Sequence, residues 1–361
     1  ELGVTIDSAL KKNPELLAAY NSDEQCKNLI DMSKRLEGLP RHTSMHAAGV
    51  VISNAPAINY VPLLKTADDV VTTQYTMTTL EELGLLKMDF LGLRTLTVIQ
   101  SAIDLVNYGY KQGFKHLTEG KAGRIMSLVG GEFKVSDIDY DDKEVYELIG
   151  SGKCDGIFQL ESPGMKNFMK ELKPQNLEDI IAGISLYRPG PMDFIPQYIK
   201  GKNNSAEIKY ECEELKPILE PTYGCIVYQE QVMQIVRDLA GYSYGRSDLV
   251  RRAMSKKKAS VMEKERQNFV YGNAEMGVKG CVANGIDEKV ANHIFDEMTD
   301  FASYAFNKSH AAAYAVVSFR TAYLKHYFPI EFMAALMTSV MDRTDKVAEY
   351  TMHLKQLGIS M

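Results

Sequence analysis

Residues 46–91 carry short runs with strand character inside a chain whose other segments have helical spacing. Residues 48–52 are rich in β-branched side chains, and 60–64, 70–75 and 85–91 are further candidates for extended structure. Elsewhere apolar residues recur at intervals of three and four, which is typical of amphipathic helices. Strands confined to one stretch indicate an α+β fold, with a small mixed sheet and a large, mainly helical region.

Helical spacing extends over six segments: 14–20, 23–36, 95–107, 142–149, 178–186 and 229–239. Three of these helices are predicted to end at glycines: Gly109, Gly150 and Gly241. Two more helices are predicted to open at Ser247 and at Ser260, the second through a capping box and ending near Tyr271. Ser309 is predicted to cap a long last helix that ends before Pro329.

Composition indicates a globular protein that buries hydrophobic cores. The 361 residues are 45% hydrophobic and 24% charged, and this length allows about two or three domains. No apolar run approaches the roughly 18–20 residues of a membrane span, so no membrane partner is expected. The five cysteines are scattered without a C-x-x-C pair, which argues against a zinc ribbon and favours a cytoplasmic location. The start at Glu1 resembles a cut inside a longer protein.

One predicted strand alternates apolar and charged side chains. Leu86, Met88 and Phe90 share one face and are expected to pack on a core, while Lys87 and Asp89 share the other. The two charged residues are separated by about 7 Å along the strand. A carboxylate and an amine that project together suit a site for a divalent cation and a phosphate. The alternative is a solvated strand face with a weak ion pair.

A basic segment departs from the net charge of −6, because residues 246–266 contain eight basic and three acidic side chains. Arg251 and Arg252 point about 100° apart on a helix. They can therefore contact neighbouring phosphates of one triphosphate, which guanidinium forks suit well. The helix ends in three lysines, Lys256, Lys257 and Lys258, which are candidates for contacts with nucleic-acid phosphates. The alternative is a solvated basic face.

Residues 307–310 start the last predicted helix. Free N–H groups and the positive end of the helix dipole favour an anion there. The alternative is a helix cap with incidental neighbours.

A histidine pair could in principle bind zinc. His42 and His46 are four residues apart, as zinc ligands on a helix often are. However, Gly38 and Pro40 precede them, the extended run begins by Ala48, and the sequence offers no third ligand. A histidine-ligated metal hydrolase is therefore disfavoured.

An acidic cluster at residues 137–142 resembles a metal-binding motif only superficially. It lacks the glycine and the glutamate that an EF-hand loop requires. It also precedes a helix, where aspartate is favoured as a cap and in the first turn. A capping role is predicted.

Residues 84–97, with the sequence Gly-Leu-Leu-Lys-Met-Asp-Phe-Leu-Gly-Leu-Arg-Thr-Leu-Thr, resemble the third-aspartate motif of the alpha subunit of bacterial DNA polymerase III, the C-family replicative polymerase. Further blocks resemble that family in its order: 46–52, 158–162, 188–191, 228–234, 251–254 and 306–310. Their details are closer to the DnaE type than to the PolC type.

The resemblance implies a DNA-directed DNA polymerase of chromosomal replication that uses two Mg²⁺ ions. It implies the end of the thumb at 1–44, the second half of a nucleotidyltransferase-like palm at 45–94 and most of the fingers at 95–361. Primer-template DNA and dNTPs are the expected partners. The sliding clamp, clamp loader and proofreading subunits would bind through regions outside this chain.

The resemblance also implies roles for single residues. Asp89 corresponds to a palm ligand of the metal that activates the primer end, and Lys87 to a neighbour of the phosphates. Arg251 and Arg252 fall in the fingers, facing the incoming nucleotide. Two further residues correspond to positions beside the nucleotide pocket, Lys308 as a phosphate contact and His310 as a sugar contact.

The sequence departs from the family pattern in its catalytic carboxylates. The other two ligands belong to a Pro-Asp-Ile-Asp block that comes before this region in the family, and no such block precedes Asp89. Asp137 follows Asp89 by 48 residues, on the wrong side. The isolated chain is therefore not expected to polymerise. The competing interpretation is a non-catalytic nucleic-acid or nucleotide-binding module derived from the fingers.

Overall fold

The structure is a computed structural model that describes residues 4–39, 45–46, 48–66, 69–255, 259–302 and 305–359. The chain divides into two compact units, Glu1–Gly92 and Leu93–Met361. All strands of the described residues lie in the first unit, and the second unit is built from helices. The predicted α+β class is confirmed.

The first unit begins with three helices, α1 (Ile6–Lys12), α2 (Pro14–Ser22) and α3 (Glu24–Leu36). The side chains of Thr5, Asn13 and Asp23 cap them by accepting backbone N–H groups of the first turns. Four short strands follow: β1 (Gly49–Ile52), β2 (Leu63–Lys65), β3 (Val71–Thr73) and β4 (Leu86–Asp89). Helix α4 (Met77–Glu82) precedes β4.

The described strands form two separate antiparallel pairs, β1 with β4 and β2 with β3, instead of one mixed sheet. Three buried residues (Val61, Leu80 and Leu85) make a small core beside them. This unit therefore depends on few buried apolar contacts.

The apolar face of the β1–β4 pair is exposed, which contradicts the prediction that it packs on a core. The register places Val50 opposite Met88 and Ile52 opposite Leu86, so all four side chains share one face. Leu86 is 59% exposed and Met88 45%. Alternation placed these residues on one face correctly, but alternation alone cannot reveal whether another layer covers that face.

The second unit contains fifteen described helices. They are α5 (Arg94–Lys111), α6 (Lys115–Thr118), α7 (Gly120–Leu128), α8 (Lys143–Gly150), α9 (Pro163–Leu172), α10 (Leu177–Leu186), α11 (Ile195–Asn203), α12 (Lys216–Leu219), α13 (Gln229–Ala240), α14 (Tyr244–Ser255), α15 (Ala259–Tyr271), α16 (Glu288–Ala302), α17 (Lys308–Tyr327), α18 (Pro329–Thr338) and α19 (Thr344–Gln356). Among the described residues, no helix is both long and apolar enough to cross a bilayer.

Two hydrophobic cores hold these helices together. The larger core surrounds α17, which packs against α5, α8, α10 and α18 and buries alanines on its contact faces. The smaller core lies between α13, α14, α15 and α16. Small side chains let helix backbones approach closely, so α17 packs tightly against its neighbours along most of its length.

Several predicted helix ends need correction. Helix α5 continues past Gly109, where a side chain would lie 2.7 Å from Leu117, so this glycine serves close packing and is not a stop. Helix α14 starts earlier than predicted: the hydroxyl of Ser243 accepts the N–H of Arg246 at 3.3 Å, and Ser247 is buried inside the helix. Gly241, in contrast, ends α13 in the left-handed conformation as predicted.

Candidate functional site

Asp89 and Lys87 lie on the same face of β4, as alternation predicted. The Lys87 Nζ is 2.8 Å from Asp89 Oδ1, with the lysine side chain 17% exposed and the aspartate 42% exposed. The hydrogen bond from Lys87 holds the pKa of the Asp89 carboxyl below its usual value. The carboxylate is therefore ionised at neutral pH and open on one side.

His46 joins this pair from the segment before β1. Its Nδ1 accepts the N–H of Gly49 at 2.6 Å and that of Ala48 at 3.2 Å. Its Nε2 lies 3.4 Å from Lys87 Nζ, and its Nδ1 lies 3.9 Å from Asp89 Oδ1. We refer to His46, Gly49, Lys87 and Asp89 as the strand site.

Gly49 is the residue that lets these side chains converge. A Cβ built on it would lie 2.5 Å from Lys87 Cε, 2.8 Å from His46 Nδ1 and 2.9 Å from Asp89 Oδ1. Its register partner on β4 is Asp89 itself. Any side chain at this position would therefore push the charged groups apart.

Sequence reasoning missed both His46 and Gly49 as parts of this site. As a possible ligand, the sequence pairs His46 only with His42, which lies outside the described residues. The Nδ1 of His46 accepts backbone N–H groups instead. The available signal was a glycine inside a strand pattern, which often marks a close approach. In the part of the chain that the structure describes, no three His, Cys, Asp or Glu side chains gather as metal ligands.

A second group of predicted residues lies in the helical unit. Asp248 binds both arginines of α14: its Oδ1 accepts from Arg251 Nε at 3.0 Å and Nη2 at 2.7 Å, and its Oδ2 is 2.7 Å from Arg252 Nε. One carboxylate therefore fixes two adjacent guanidinium groups. Fixed guanidinium forks lose less side-chain entropy on binding a phosphate than free ones.

Gln229, the first residue of α13, connects these arginines to the start of α17. Its Oε1 accepts from Arg251 Nη1 at 3.0 Å, and its Nε2 donates to the carbonyl of Ala305 at 3.0 Å. Its backbone N–H also donates to the carbonyl of Phe306 at 2.9 Å. Arg251 and Lys308 are thereby brought to the same part of the unit.

Lys308 opens α17 beside acidic and aromatic groups. Both carboxylate oxygens of Glu230 accept its backbone N–H, at 3.1 and 3.0 Å. Its Nζ is 3.0 Å from Glu178 Oε2 and 5.2 Å from the centre of the Tyr228 ring. The predicted anion-binding end of the helix thus already holds a carboxylate of the protein. The cap is Asn307, not Ser309 as predicted, because the Asn307 side chain accepts from His310 N.

His310 stands in an aromatic row at the same helix start. Its ring centre is 5.3 Å from that of Phe306 and 4.3 Å from that of Tyr314. The Arg188 guanidinium lies over the Phe306 ring, 3.8 Å from the ring centre. We refer to Gln229, Asp248, Arg251, Arg252, Lys308 and His310 as the helix site.

The four arginines of the basic segment 246–266 all form ion pairs with acidic side chains. Arg246 lies 2.5 Å from Glu265, and Arg266 contacts Asp296, in addition to the two arginines bound by Asp248. The predicted DNA-binding lysines, Lys256, Lys257 and Lys258, lie outside the described residues. Of the acidic motif, Asp142 accepts the N–H of Glu144 at 2.9 Å and caps α8, so its predicted capping role is confirmed.

Both compact units match profiles of one protein class. Residues 1–92 match the family described as the bacterial DNA polymerase III alpha NTPase domain. Residues 95–277 match the bacterial DNA polymerase III alpha subunit finger domain. The chain belongs to the bacterial DNA polymerase III alpha subunit family.

Individual relatives agree along almost the whole chain. It is 46% identical over 359 residues to DNA polymerase III subunit alpha of Thermus aquaticus, covering 98% of this chain and 27% of the relative. It is 42% identical to the subunit of the same name from Bacillus subtilis, with coverage of 99% and 30%. The Chlamydia trachomatis relative is 44% identical, with coverage of 99% and 27%. The chain thus spans less than a third of the length of these relatives.

Proposed function

We propose that this chain is part of the catalytic alpha subunit of a bacterial replicative DNA polymerase. That enzyme extends a primer by template-directed nucleotidyl transfer from a dNTP to the primer 3′-OH. The observation that carries the proposal is the strand site: Asp89 and Lys87 pair at 2.8 Å on an open strand face, inside the segment that matches the family. The partners are primer-template DNA and dNTPs.

The domains follow the family order in this proposal. Residues 1–44 are the end of the thumb, 45–94 the second half of the palm and 95–361 the fingers. The boundary between the compact units, at Gly92 and Leu93, supports a division near residue 94. Sliding clamp, clamp loader and proofreading subunits bind elsewhere on the full-length protein.

Asp89 fits one ligand position of Mg²⁺. Mg²⁺ prefers hard oxygen ligands and is often held by one or two carboxylates together with phosphates and water, and Asp89 offers an ionised, half-exposed carboxylate. When bound, paired Mg²⁺ ions stabilise the attacking and leaving oxygens of the displacement. The remaining carboxylates come from outside this chain, so the chain alone does not polymerise.

The helix site receives the incoming nucleotide. Arg251 and Arg252 exchange part of their contact with Asp248 for triphosphate oxygens, which guanidinium groups bind in forked geometry. Lys308 contacts phosphate and His310 the sugar, supported by the convergence of α13, α14 and α17. Lys256, Lys257 and Lys258 follow template phosphates, and this contact is expected to weaken with salt.

Primer extension by the full-length protein tests the proposal. We expect Asp89→Asn to lower single-nucleotide incorporation by about 10³-fold, because metal stabilisation of the transition state is worth several kcal/mol. Asp69→Asn is the matched control, since Asp69 pairs with Lys65 at 2.9 Å on the same unit. If both variants extend primers like the wild type, Asp89 is not a catalytic ligand. If the wild type binds primer-template DNA without extending it, the protein is a binding module instead.

A further inference from the structure

His46 has a defined tautomer in the strand site. A neutral imidazole has one acceptor nitrogen and one N–H. Backbone N–H groups of Gly49 and Ala48 donate to Nδ1 at 2.6 and 3.2 Å. Nδ1 therefore carries no proton, and the proton of the neutral ring lies on Nε2.

The contact between His46 and Lys87 is consequently not a hydrogen bond. Nε2 lies 3.4 Å from Lys87 Nζ, but an ammonium group has only donors and cannot accept from Nε2–H. The opposite tautomer would let Nε2 accept from Lys87, but it would place an N–H of the ring against the Gly49 N–H at 2.6 Å. The short contact outweighs the long one, because hydrogen-bond strength falls steeply with distance.

The Nε2–H of His46 and the ammonium of Lys87 are therefore two neighbouring donors beside Asp89. Lys87 uses one of its donors on Asp89 Oδ1, at 2.8 Å, and keeps two more. Among the described residues, no acceptor lies within hydrogen-bond distance of His46 Nε2. A small oxyanion would satisfy both groups at once.

We propose that His46 Nε2–H and the Lys87 ammonium together bind one phosphate oxygen of the incoming nucleotide. The inference rests on the proposed function and adds a phosphate-binding residue to it. Gly49 makes the arrangement possible, because a Cβ there would lie 2.8 Å from His46 Nδ1 and 2.5 Å from Lys87 Cε. His46 provides a neutral donor, so it binds phosphate without competing with the metal for Asp89.

Two substitutions at His46 separate binding from structure. Asn can still accept the N–H groups of Gly49 and Ala48, since its oxygen reaches the position of Nδ1, but it has no donor at the position of Nε2. Gln has an amide nitrogen that reaches the position of Nε2. His293→Asn is the matched control: His293 contacts Glu211 at 3.4 Å, and its side chain is 56% exposed against 52% for His46.

The experiment measures the apparent Kd of a dNTP in single-nucleotide incorporation by the full-length protein, and the inhibition constant of inorganic pyrophosphate. We expect His46→Asn to raise both by about tenfold, the effect of one lost hydrogen bond to a charged group. His46→Gln restores most of the affinity, and His293→Asn changes neither constant.

Three outcomes would overturn the inference. They are unchanged constants in His46→Asn, equal impairment of His46→Asn and His46→Gln, or an effect confined to the Mg²⁺ dependence. The third outcome would indicate that an acidic side chain from outside this chain occupies the position proposed for the phosphate oxygen. An Asp89→Asn arm separates the two proposals, because full activity of that variant refutes the catalytic role itself, whatever His46 does.

Discussion

The strand site and the helix site hold their charged groups in different ways. In the strand site, backbone geometry does the positioning: the register sets Asp89 opposite Gly49, and main-chain N–H groups orient His46. In the helix site, side chains do it: Asp248 holds two arginines, and Gln229 connects one of them to the start of α17. The first arrangement leaves no room for an added atom, whereas the second depends on its partner side chains.

The surroundings of the two sites differ as well. The strand site lies on a two-stranded ladder with an exposed apolar face, while the helix site lies on helices that contribute to large cores. All buried polar and charged residues of the described part of the chain belong to the helical unit. Electrostatic effects on folding should therefore concentrate in that unit.

The largest expected effect comes from adding one methyl group to the strand site, with the same change at the start of α14 as the comparison. Gly49→Ala should lower incorporation by the full-length protein by about 10³-fold, since it displaces Asp89, the proposed metal ligand, together with Lys87. Gly245→Ala, in the first turn of α14, has open space around the new Cβ. It should leave incorporation unchanged and stabilise the protein by about 0.5–1 kcal/mol. Similar losses of activity in both variants would contradict the expected difference between Gly49 and Gly245.

A pH effect of about 2 kcal/mol is expected from the helical unit. Burial lowers the pKa of Lys325 to about 8, and its ammonium donates to the carbonyls of Lys153 and Asp155. An unfolded lysine keeps its proton up to about pH 10, so the unfolded chain binds more protons between these values. The contribution of Lys325 to the free energy of unfolding should therefore rise by about 1.4 kcal/mol for each pH unit above 8. Burial also raises the pKa of the Cys154, Cys225 and Cys281 thiols, and this lowers the free energy of unfolding above about pH 8.5. The quantity to compare is therefore the difference in stability between the wild type and a variant that lacks this lysine.

Urea denaturation across this pH range provides the measurement. Lys325→Met should be less stable throughout, because Lys153 and Asp155 lose their donor, but its stability should not show the same rise. Above about pH 10 the tyrosines ionise in the unfolded chain but not where they are buried in the folded protein, and this lowers the free energy of unfolding. The comparison therefore ends at pH 9.5. An identical slope in the variant would assign the rise to other groups.

Removing one partner from the helix site should have a smaller effect. Asp248→Asn weakens the fixation of Arg251 and Arg252, and we expect the KM for dNTP to rise about fivefold with little change in kcat. Asp296→Asn removes the partner of Arg266 elsewhere on the unit and serves as the control. A fall in kcat without a change in KM would indicate that Asp248 acts on the transition state instead of on binding.

The smallest effect is expected on the exposed face of the ladder. Met88→Thr should change the free energy of unfolding by less than about 0.5 kcal/mol, as surface substitutions usually do. Thermal denaturation of the isolated chain tests this. A loss of 2 kcal/mol or more would mean that the face is covered in solution.

Features that depend on neighbouring residues could be predicted from the sequence, whereas features that depend on residues far along the chain could not. The common face of Lys87 and Asp89, the cap at Asp142 and the end of α13 at Gly241 follow from neighbours within one element. The role of His46 depends on Lys87, 41 residues away, and no periodicity encodes that contact. The exposure of Leu86 and Met88 depends on whether another layer covers them, which alternation cannot report.

Four members of the helix site could be predicted, but not how they come together. Helical spacing placed Arg251 and Arg252 on one helix, and the family blocks pointed to Lys308 and His310. Their convergence depends on Gln229, whose amide bonds both Arg251 and the carbonyl of Ala305. Their acidic partners, Asp248 and Glu230, could not be recognised from charge counts, because a count does not show which charges meet.

Gln229 also has a mechanical consequence. Its amide oxygen is attached to Arg251, while its amide nitrogen and backbone N–H are attached to the main chain just before α17. Any displacement of that main chain relative to α14 must therefore pull the Arg251 guanidinium along or break one of these bonds. As long as these hydrogen bonds hold, the position of the arginine is coupled to the position of the entry to α17.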